Sequence, residues 1–148
     1  MQYPGHEALD PFFAAIKRMI GDRVDGEHFF DMLANEVVWE YGFIFPGTAS
    51  HVYGRQALVQ HFSGYHKILW LESVGDEIVH PTPDGVILEY RSHGRGTQTG
   101  RPYSNQYVSV LTIRDRAVVH WRDYSNKLAV IETVGDVSKV GAAMGSQA

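Results

Sequence analysis

The second half of the chain has the residue pattern of consecutive long β-strands, and this pattern limits the fold more than any other feature. Four segments rich in β-branched and aromatic residues, at 68–80, 86–94, 103–113 and 117–124, are separated only by short turn signals. Strands joined by short connections pair antiparallel, so these segments predict one antiparallel sheet. A length of 148 residues suits one domain with one core.

The first 65 residues show apolar side chains at helical spacing instead. They predict helices over 11–21, about 25–34 and 54–65, with a strand over 37–45 before Pro46-Gly47 and a loop over 48–53. After the last predicted strand, residues 128–134 predict a brief closing helix. Helices followed by a run of strands indicate an α+β fold. We expect a curved antiparallel sheet wrapped around three N-terminal helices, with a cone-shaped pocket on its concave side.

The domain is predicted to extend over residues 8–135, with loosely ordered tails at 1–7 and 136–148. The chain has 13 Lys and Arg against 17 Asp and Glu, a formal charge of −4, which argues against a nucleic-acid partner. It lacks an apolar run of about 20 residues, so no membrane partner is expected. The N-terminus lacks the basic-then-apolar order of a signal peptide, so we expect a cytoplasmic protein.

Several common kinds of site are missing from the sequence. The chain has no cysteine, which excludes disulfides, thiolate metal centres and a cysteine nucleophile. His61 and His66 are five residues apart, about 140° around a helix, so they do not form a metal pair, and we expect no metal. The glycines at 94, 96 and 100 lack the spacing and the following helix of a phosphate-binding loop, so we expect no cofactor.

The last predicted strand carries the most informative residues. Alternate residues of a strand share a face, so one face would hold Val119, Trp121 and Asp123, and the other His120, Arg122 and Tyr124.

Asp123 would be a lone carboxylate on an otherwise apolar face. Burial raises the pKa of an acid toward neutrality, which suits a general acid or base. The alternative is a structural role, in which Asp123 pairs with an arginine or caps the turn into Ser125-Asn126.

The first predicted strand places aromatic side chains on one face. Trp39 and Tyr41 share that face, and Phe43 is next in register. Aromatic walls suit a flat apolar ligand, and Tyr41 can donate one hydrogen bond to it. A plain aromatic core is the alternative explanation for these residues.

Three short motifs, YGRQA at 53–57, TGRPY at 99–103 and WRDY at 121–124, together with the order of elements, carry a family resemblance. The chain resembles the nuclear transport factor 2-like superfamily, in its SnoaL-like branch, over residues 11–134. That branch includes polyketide cyclases, ketosteroid isomerases and limonene epoxide hydrolases. The resemblance implies a bent sheet around three helices that encloses a pocket, often in a dimer formed across the sheet.

The catalytic residues that the resemblance to limonene epoxide hydrolases implies can be compared with the residues at those positions in this sequence. Their Asp-Arg-Asp relay would place its last Asp at Asp123, which matches, but its Arg and first Asp at Tyr90 and Ser92, which do not. The Tyr and Asn that hold the attacking water in those enzymes would fall near Trp39 and Tyr41, which do not match either. One carboxylate cannot replace that relay, so epoxide hydrolysis is disfavoured.

Ketosteroid isomerases and SnoaL-type polyketide cyclases differ in the position of the Asp that transfers the proton. Ketosteroid isomerases carry the proton-transferring Asp at about Tyr41, where this chain has none, and neighbouring Glu40 would face the other way. SnoaL-type polyketide cyclases place an acid–base Asp on the last strand, which matches Asp123.

We therefore expect cofactor-free acid–base catalysis, of isomerase, cyclase or lyase type, on a small apolar carbonyl compound. Asp123 would move the proton and Tyr41 would donate to the developing oxygen. Substrate-binding residues would line a cavity of a few hundred Å³: Trp39, Phe43, Tyr90, Ser92 and Trp121.

The alternative function is a non-catalytic small-molecule-binding or dimerisation domain on the same fold. In either case we expect a homodimer formed by the outer sheet face, whose residues are aromatic, basic and acidic: Glu89, Arg91, His93, His120, Arg122 and Tyr124.

Overall fold

The computed structural model describes residues 3–144, which form four α-helices and six β-strands. The helices are α1 (Asp10–Ile20), α2 (Arg55–Phe62), α3 (Lys127–Val134) and α4 (Val137–Met144), and short 3₁₀ helices cover Glu7–Leu9, Phe29–Met32 and Tyr65–Lys67. The strands are β1 (Leu33–Tyr41), β2 (His51–Tyr53), β3 (Leu69–Thr82), β4 (Gly85–Gly96), β5 (Pro102–Arg114) and β6 (Ala117–Ser125). The predicted α+β class is confirmed.

The strands form one sheet in the order β2-β1-β6-β5-β4-β3. Strands β3 to β6 pair antiparallel, as their short connections predict. Strand β1, however, runs parallel to β6, so the prediction of an all-antiparallel sheet was wrong. No hairpin joins these two strands, because most of the chain lies between them, and their relative direction is therefore set by tertiary packing.

The parallel β1–β6 pair brings the two informative strands side by side. Trp39 is the register partner of Trp121, and Tyr41 is the partner of Asp123. The two indole rings stack with centroids 4.7 Å apart. The residues that stood out separately in the sequence are therefore neighbours in the sheet.

Helix α1 packs on β3 and closes one side of the core. Pro11 lies in its first turn, where a proline costs no hydrogen bond, and its buried stripe includes Phe13, Ile16 and Ile20. These side chains cover part of the inner face of the sheet.

Two of the motif segments have structural roles. Gly54 precedes α2 with a φ of 91°, and the Arg55 guanidinium donates to the Leu33 carbonyl at 2.8 Å, which ties α2 to β1. In the other motif, the Thr99 hydroxyl donates to the Thr133 carbonyl at 2.7 Å and the Arg101 guanidinium donates to the Glu132 carbonyl, which ties the β4–β5 hairpin to α3.

Three local predictions were wrong. The helix expected over 25–34 is only the 3₁₀ turn Phe29–Met32, because β1 already begins at Leu33, and the loop expected over 48–53 contains β2. Three N-terminal helices were predicted, but among the described residues before β3 only α1 and α2 are α-helices, and the other helical segments are 3₁₀ turns.

The tails are also more regular than expected. Residues Val137–Met144 form α4, whose Val140 is buried, and His6 is buried against the Val59 carbonyl, 2.9 Å from its Nε2. Residues 1–2 and 145–148 of the predicted tails lie outside the described part of the chain. Within residues 3–144, no helix is long and apolar enough to cross a membrane.

The predicted alternation along β6 fails at one residue. The register between β5 and β6 shifts between Thr112 and Ile113, so that Val118 is fully buried and Val119 is not. An irregularity of this kind reverses the side-chain alternation locally. Trp121 and Asp123 lie beyond it and face inward as predicted.

Candidate active site

A cavity of about 140 Å³ lies between the concave sheet face and the helices. Its wall is mostly aromatic and aliphatic, and includes Phe12, Trp39, Tyr41, Phe62, Leu71 and Tyr90. The cavity is smaller than the few hundred Å³ expected, and the unpredicted helix α4 contributes Val140 and Met144 to its wall. Its size resembles that of protein cavities that hold one benzene molecule.

Asp123 is the carboxylate of this wall, and it is only 9% exposed. Its Oδ1 accepts two hydrogen bonds, from the Ser109 hydroxyl at 2.7 Å and from Trp121 Nε1 at 3.0 Å. Within residues 3–144, Oδ2 accepts no hydrogen bond and no basic side chain lies within 4.0 Å of the carboxylate. The arginine pair that was the structural alternative for Asp123 is therefore not formed.

A chain of hydroxyls supports the acid from behind. The Tyr90 hydroxyl lies 2.7 Å from Ser109 Oγ, whose only hydrogen is directed to Asp123. Tyr90 must therefore donate to Ser109, which leaves Tyr90 without a hydrogen for a ligand. Ser109 holds Asp123 in place. The hydrogen bond from Tyr90 polarises the Ser109 hydroxyl, which strengthens the hydrogen bond from Ser109 to Asp123.

Burial raises the pKa of Asp123 above its ordinary value. The hydrogen bonds from Trp121 and Ser109 and the positive charge of Lys127 oppose this rise and lower the pKa, but burial has the larger effect. A raised pKa makes this carboxylate a stronger base than an ordinary aspartate, which suits a group that accepts a proton and returns it.

Tyr41 lies on the same wall with its hydroxyl 2.6 Å from His61 Nε2. Burial lowers the pKa of His61, so the neutral imidazole is favoured. The one proton between the two atoms belongs either to Tyr41 or to His61, and only in the second case is the Tyr41 hydrogen free for a ligand.

A second polar group consists of three hydroxyls at the other side of the cavity. Ser92 Oγ lies 2.8 Å from the Tyr107 hydroxyl, which lies 2.9 Å from the Tyr103 hydroxyl. The Asn105 side-chain amide donates to Tyr103 at 2.7 Å. The two contacts among three hydroxyls use two of their three hydrogens, so one hydrogen remains for a ligand oxygen.

Lys127, the first residue of α3, is the cation of the cavity wall. Its Nζ donates to Ser125 Oγ at 3.0 Å and lies 5.5 Å from the ring centroids of both Tyr41 and Phe45. Burial lowers the pKa of Lys127, and the charge of Asp123 partly opposes this effect.

The structure brings most of the sequence-predicted site residues to one cavity. Trp39, Tyr41, Tyr90, Ser92 and Asp123 all contribute to its wall.

Phe43 also borders the cavity, but it lies beyond the end of β1 and is 61% exposed, with its ring against Tyr124. Trp121 does not line the cavity, contrary to the prediction. It is fully buried behind Trp39 and acts on the site through its hydrogen bond to Asp123.

Sequence reasoning missed several polar residues of the site. Ser109 and Tyr107 lie on β5, whose alternation places them inward, so strand parity could have found them. Lys127 and His61 come from helices, and their approach to the cavity depends on how α3 and α2 dock, which has no sequence signal. In residues 3–144, no group of three or more His, Cys, Asp or Glu side chains could hold a metal ion.

Comparison with known proteins agrees with this fold. A family model of the SnoaL-like domain matches residues 11–121. YesE, an uncharacterized protein of Bacillus subtilis, is 33% identical over 100 residues, which cover 66% of this chain and 68% of YesE.

Solved structures show the same architecture. A candidate isomerase from Bacillus subtilis is 27% identical with a TM-score of 0.70, over 91% of this chain and 96% of that chain. A candidate polyketide cyclase from Pseudomonas putida is 17% identical with a TM-score of 0.64, over 88% and 97% of the two chains, and this likeness concerns the fold alone. Because the family model spans well over half of its residues, the chain belongs to the SnoaL-like domain family, within the nuclear transport factor 2-like fold.

Proposed function

We propose that this protein is a cofactor-free acid–base enzyme that acts on a small, largely apolar carbonyl compound. The observation that carries the proposal is the Asp123 carboxylate, which is buried in a cavity wall and, within residues 3–144, is hydrogen-bonded only through Oδ1 and to neutral donors. The names of the similar structures, a candidate isomerase and a candidate polyketide cyclase, are consistent with such chemistry.

In the proposed step, Asp123 takes a proton from the carbon next to the carbonyl group. The electron pair of that C–H bond forms the C=C bond of an enolate, and the carbonyl π electrons move to oxygen. Asp123 then returns the proton to the same carbon or to a conjugated one, which gives exchange or isomerisation. No oxidant or reductant is needed.

The enolate oxygen needs a hydrogen-bond donor as charge develops on it. The candidates are the hydroxyl group of Ser92, Tyr103 and Tyr107, which retains one free hydrogen, and Tyr41, when His61 holds the shared proton. Tyr90 is not a candidate because its hydrogen is directed to Ser109.

The test is solvent deuterium incorporation into a panel of small cyclic and aryl ketones, followed by proton NMR. Asp123→Asn should lose about 10²–10⁴-fold in exchange rate, whereas Tyr41→Phe should lose less because other donors remain. Asp84→Asn is the matched control, since Asp84 is exposed and lines neither the cavity nor the groove of the outer sheet face. Exchange by Asp123→Asn at the wild-type rate would show that Asp123 is not the base. If the wild-type protein exchanged no ketone faster than buffer alone, the alternative function, a non-catalytic ligand-binding domain, would remain.

We also propose that the outer sheet face forms a homodimer. Three exposed apolar side chains, Phe43, Ile78 and Val108, lie on one groove of this face beside Arg91 and Tyr124. Apolar, aromatic and arginine side chains together are typical of interfaces. Light scattering at micromolar concentration should give twice the 16.6 kDa chain mass, and Val108→Asp should return it to the monomer value. A monomeric wild-type protein would contradict this proposal.

A further inference from the structure

The cavity contains a cation that the proposed proton transfer does not use. Lys127 Nζ has three N–H donors, and the one hydrogen bond that it donates within residues 3–144 goes to Ser125. Its other contacts are the ring faces of Tyr41 and Phe45, which also line the cavity. Two donors of a charged group are therefore left for a molecule inside the cavity.

The position of Lys127 is unfavourable for stability. It is half-buried, where an ammonium loses hydration, and it is the first residue of α3, where a positive charge opposes the helix dipole. Among the described residues, no carboxylate lies within 4.0 Å to compensate. Residues that oppose local stability in this way are typical of functional sites.

The rest of the cavity restricts what the ammonium can bind. The volume of about 140 Å³ fits one six-membered ring, and the walls beside Lys127 are aromatic. The wall also contains Asp123, whose burial disfavours its charged form, and His61, whose burial lowers its pKa and favours the neutral imidazole. Burial also disfavours the charged form of Lys127, so a carboxylate next to Nζ would stabilise the ammonium form and the bound acid together.

We propose that Lys127 binds a carboxylate carried by the ligand, so that the cavity takes single-ring or similarly small apolar acids. A carboxylate accepts two charge-assisted hydrogen bonds from the two free N–H donors, while its ring packs on the aromatic wall. The inference deepens the proposed function and rests on it, because it identifies the substrate class of the same cavity as a small carbonyl compound with an acid group.

Two probes of nearly equal shape separate charge from fit: 4-fluorobenzoate and 4-fluorobenzamide. Fluorine NMR titrations would measure their dissociation constants with the full-length wild-type protein and with Lys127→Met, which keeps the length of the side chain. The wild-type protein should bind the benzoate more tightly than the benzamide. Lys127→Met should weaken benzoate binding by at least about tenfold, the range of a charged hydrogen bond, and benzamide binding by less than about threefold.

Asp123→Asn is the control for a substitution in the same wall that leaves Lys127 in place. Because burial disfavours the charged form of Asp123, this variant should bind benzoate about as tightly as the wild-type protein. Lys127→Gln is the second variant, in case Lys127→Met lowers the thermal stability, and it should show the same selective loss of benzoate. Equal binding of the two probes by the wild-type protein, or an equal loss of both in the variants, would overturn the proposal.

The two proposals fail in different ways. If ketones exchange deuterium with an Asp123 dependence but benzoate gains nothing from Lys127, only the carboxylate site is wrong. If benzoate binding depends on Lys127 but no ketone or keto acid exchanges, the cavity binds acids and the proposed catalysis is wrong.

Discussion

The substitution Asp123→Asn tests the electrostatics of the site without any substrate. Asparagine has the same shape, and its side-chain carbonyl can accept the same hydrogen bonds from Ser109 and Trp121, at 2.7 and 3.0 Å in the wild-type protein. The substitution removes only the titrating group. Its effect on the free energy of unfolding therefore reports what the charge costs or contributes.

Two opposing effects determine that free energy. A hydrogen bond to a charged acceptor contributes about 1.5–3 kcal/mol and one to a neutral acceptor about 1 kcal/mol, so the two bonds to Asp123 together lose about 1–4 kcal/mol. Removal of a buried charge has the opposite sign. Because the pKa of Asp123 is raised overall, the cost of burial exceeds these hydrogen bonds and the attraction of Lys127 together. We expect Asp123→Asn to be as stable as the wild-type protein at pH 7, within about 1 kcal/mol, or more stable.

The pH dependence has a definite sign. The folded-state pKa of Asp123 lies above its unfolded value, so the folded protein binds this proton more strongly. Wild-type stability from this group therefore falls as pH rises from about 4 through the folded-state pKa. The variant lacks this loss, so its stability relative to the wild-type protein should increase with pH over that interval and be constant below it.

Urea unfolding followed by tryptophan fluorescence between pH 4 and 8 measures this difference directly. Asp123→Ala is the companion variant: it leaves the Ser109 and Trp121 donors without an acceptor and should lose about 2–6 kcal/mol, from about 1–3 kcal/mol for each buried group. Asp84→Asn, at an exposed site, should change little. If Asp123→Asn lost more than about 2 kcal/mol at pH 7, and the loss shrank at low pH, Asp123 would be a stabilising structural charge and the catalytic assignment would be wrong.

Two further predictions follow from neighbouring contacts. Ser109→Ala removes one donor from Asp123 Oδ1, so the pKa of Asp123 should rise further, measured by carbon-13 NMR of the carboxyl group; an unchanged pKa would contradict the role of Ser109. At Gly64 an added Cβ would lie 1.6 Å from the Ala143 carbonyl oxygen, so Gly64→Ala should displace α4 and speed amide exchange over Val137–Met144, whereas Gly75→Ala, with open space around it, should not. Equal exchange in both glycine variants would show that α4 does not dock as described.

Local patterns in the sequence predicted which way several of the candidate site residues face. The period-2 alternation of β4 placed Tyr90 and Ser92 inward and Arg91 outward, and the same rule placed Trp121 and Asp123 inward. Such predictions succeed because the direction of a strand side chain depends only on its neighbours in sequence. They failed at Val119, where the β5–β6 pairing shifts by one residue, which is a property of two strands together.

Tertiary structure alone decided which residues meet. The parallel pairing of β1 with β6 placed Tyr41 beside Asp123, and no local signal encodes the direction of two strands so far apart in the chain. The docking of α2 and α3 brought His61 and Lys127 to the cavity, and α4 added Val140 and Met144 to its wall. The sequence by itself thus determined the fold class and the buried acid, because these depend on residue type and spacing. The charges and hydrogen-bond partners around that acid depend on contacts between distant segments, which only the folded chain creates.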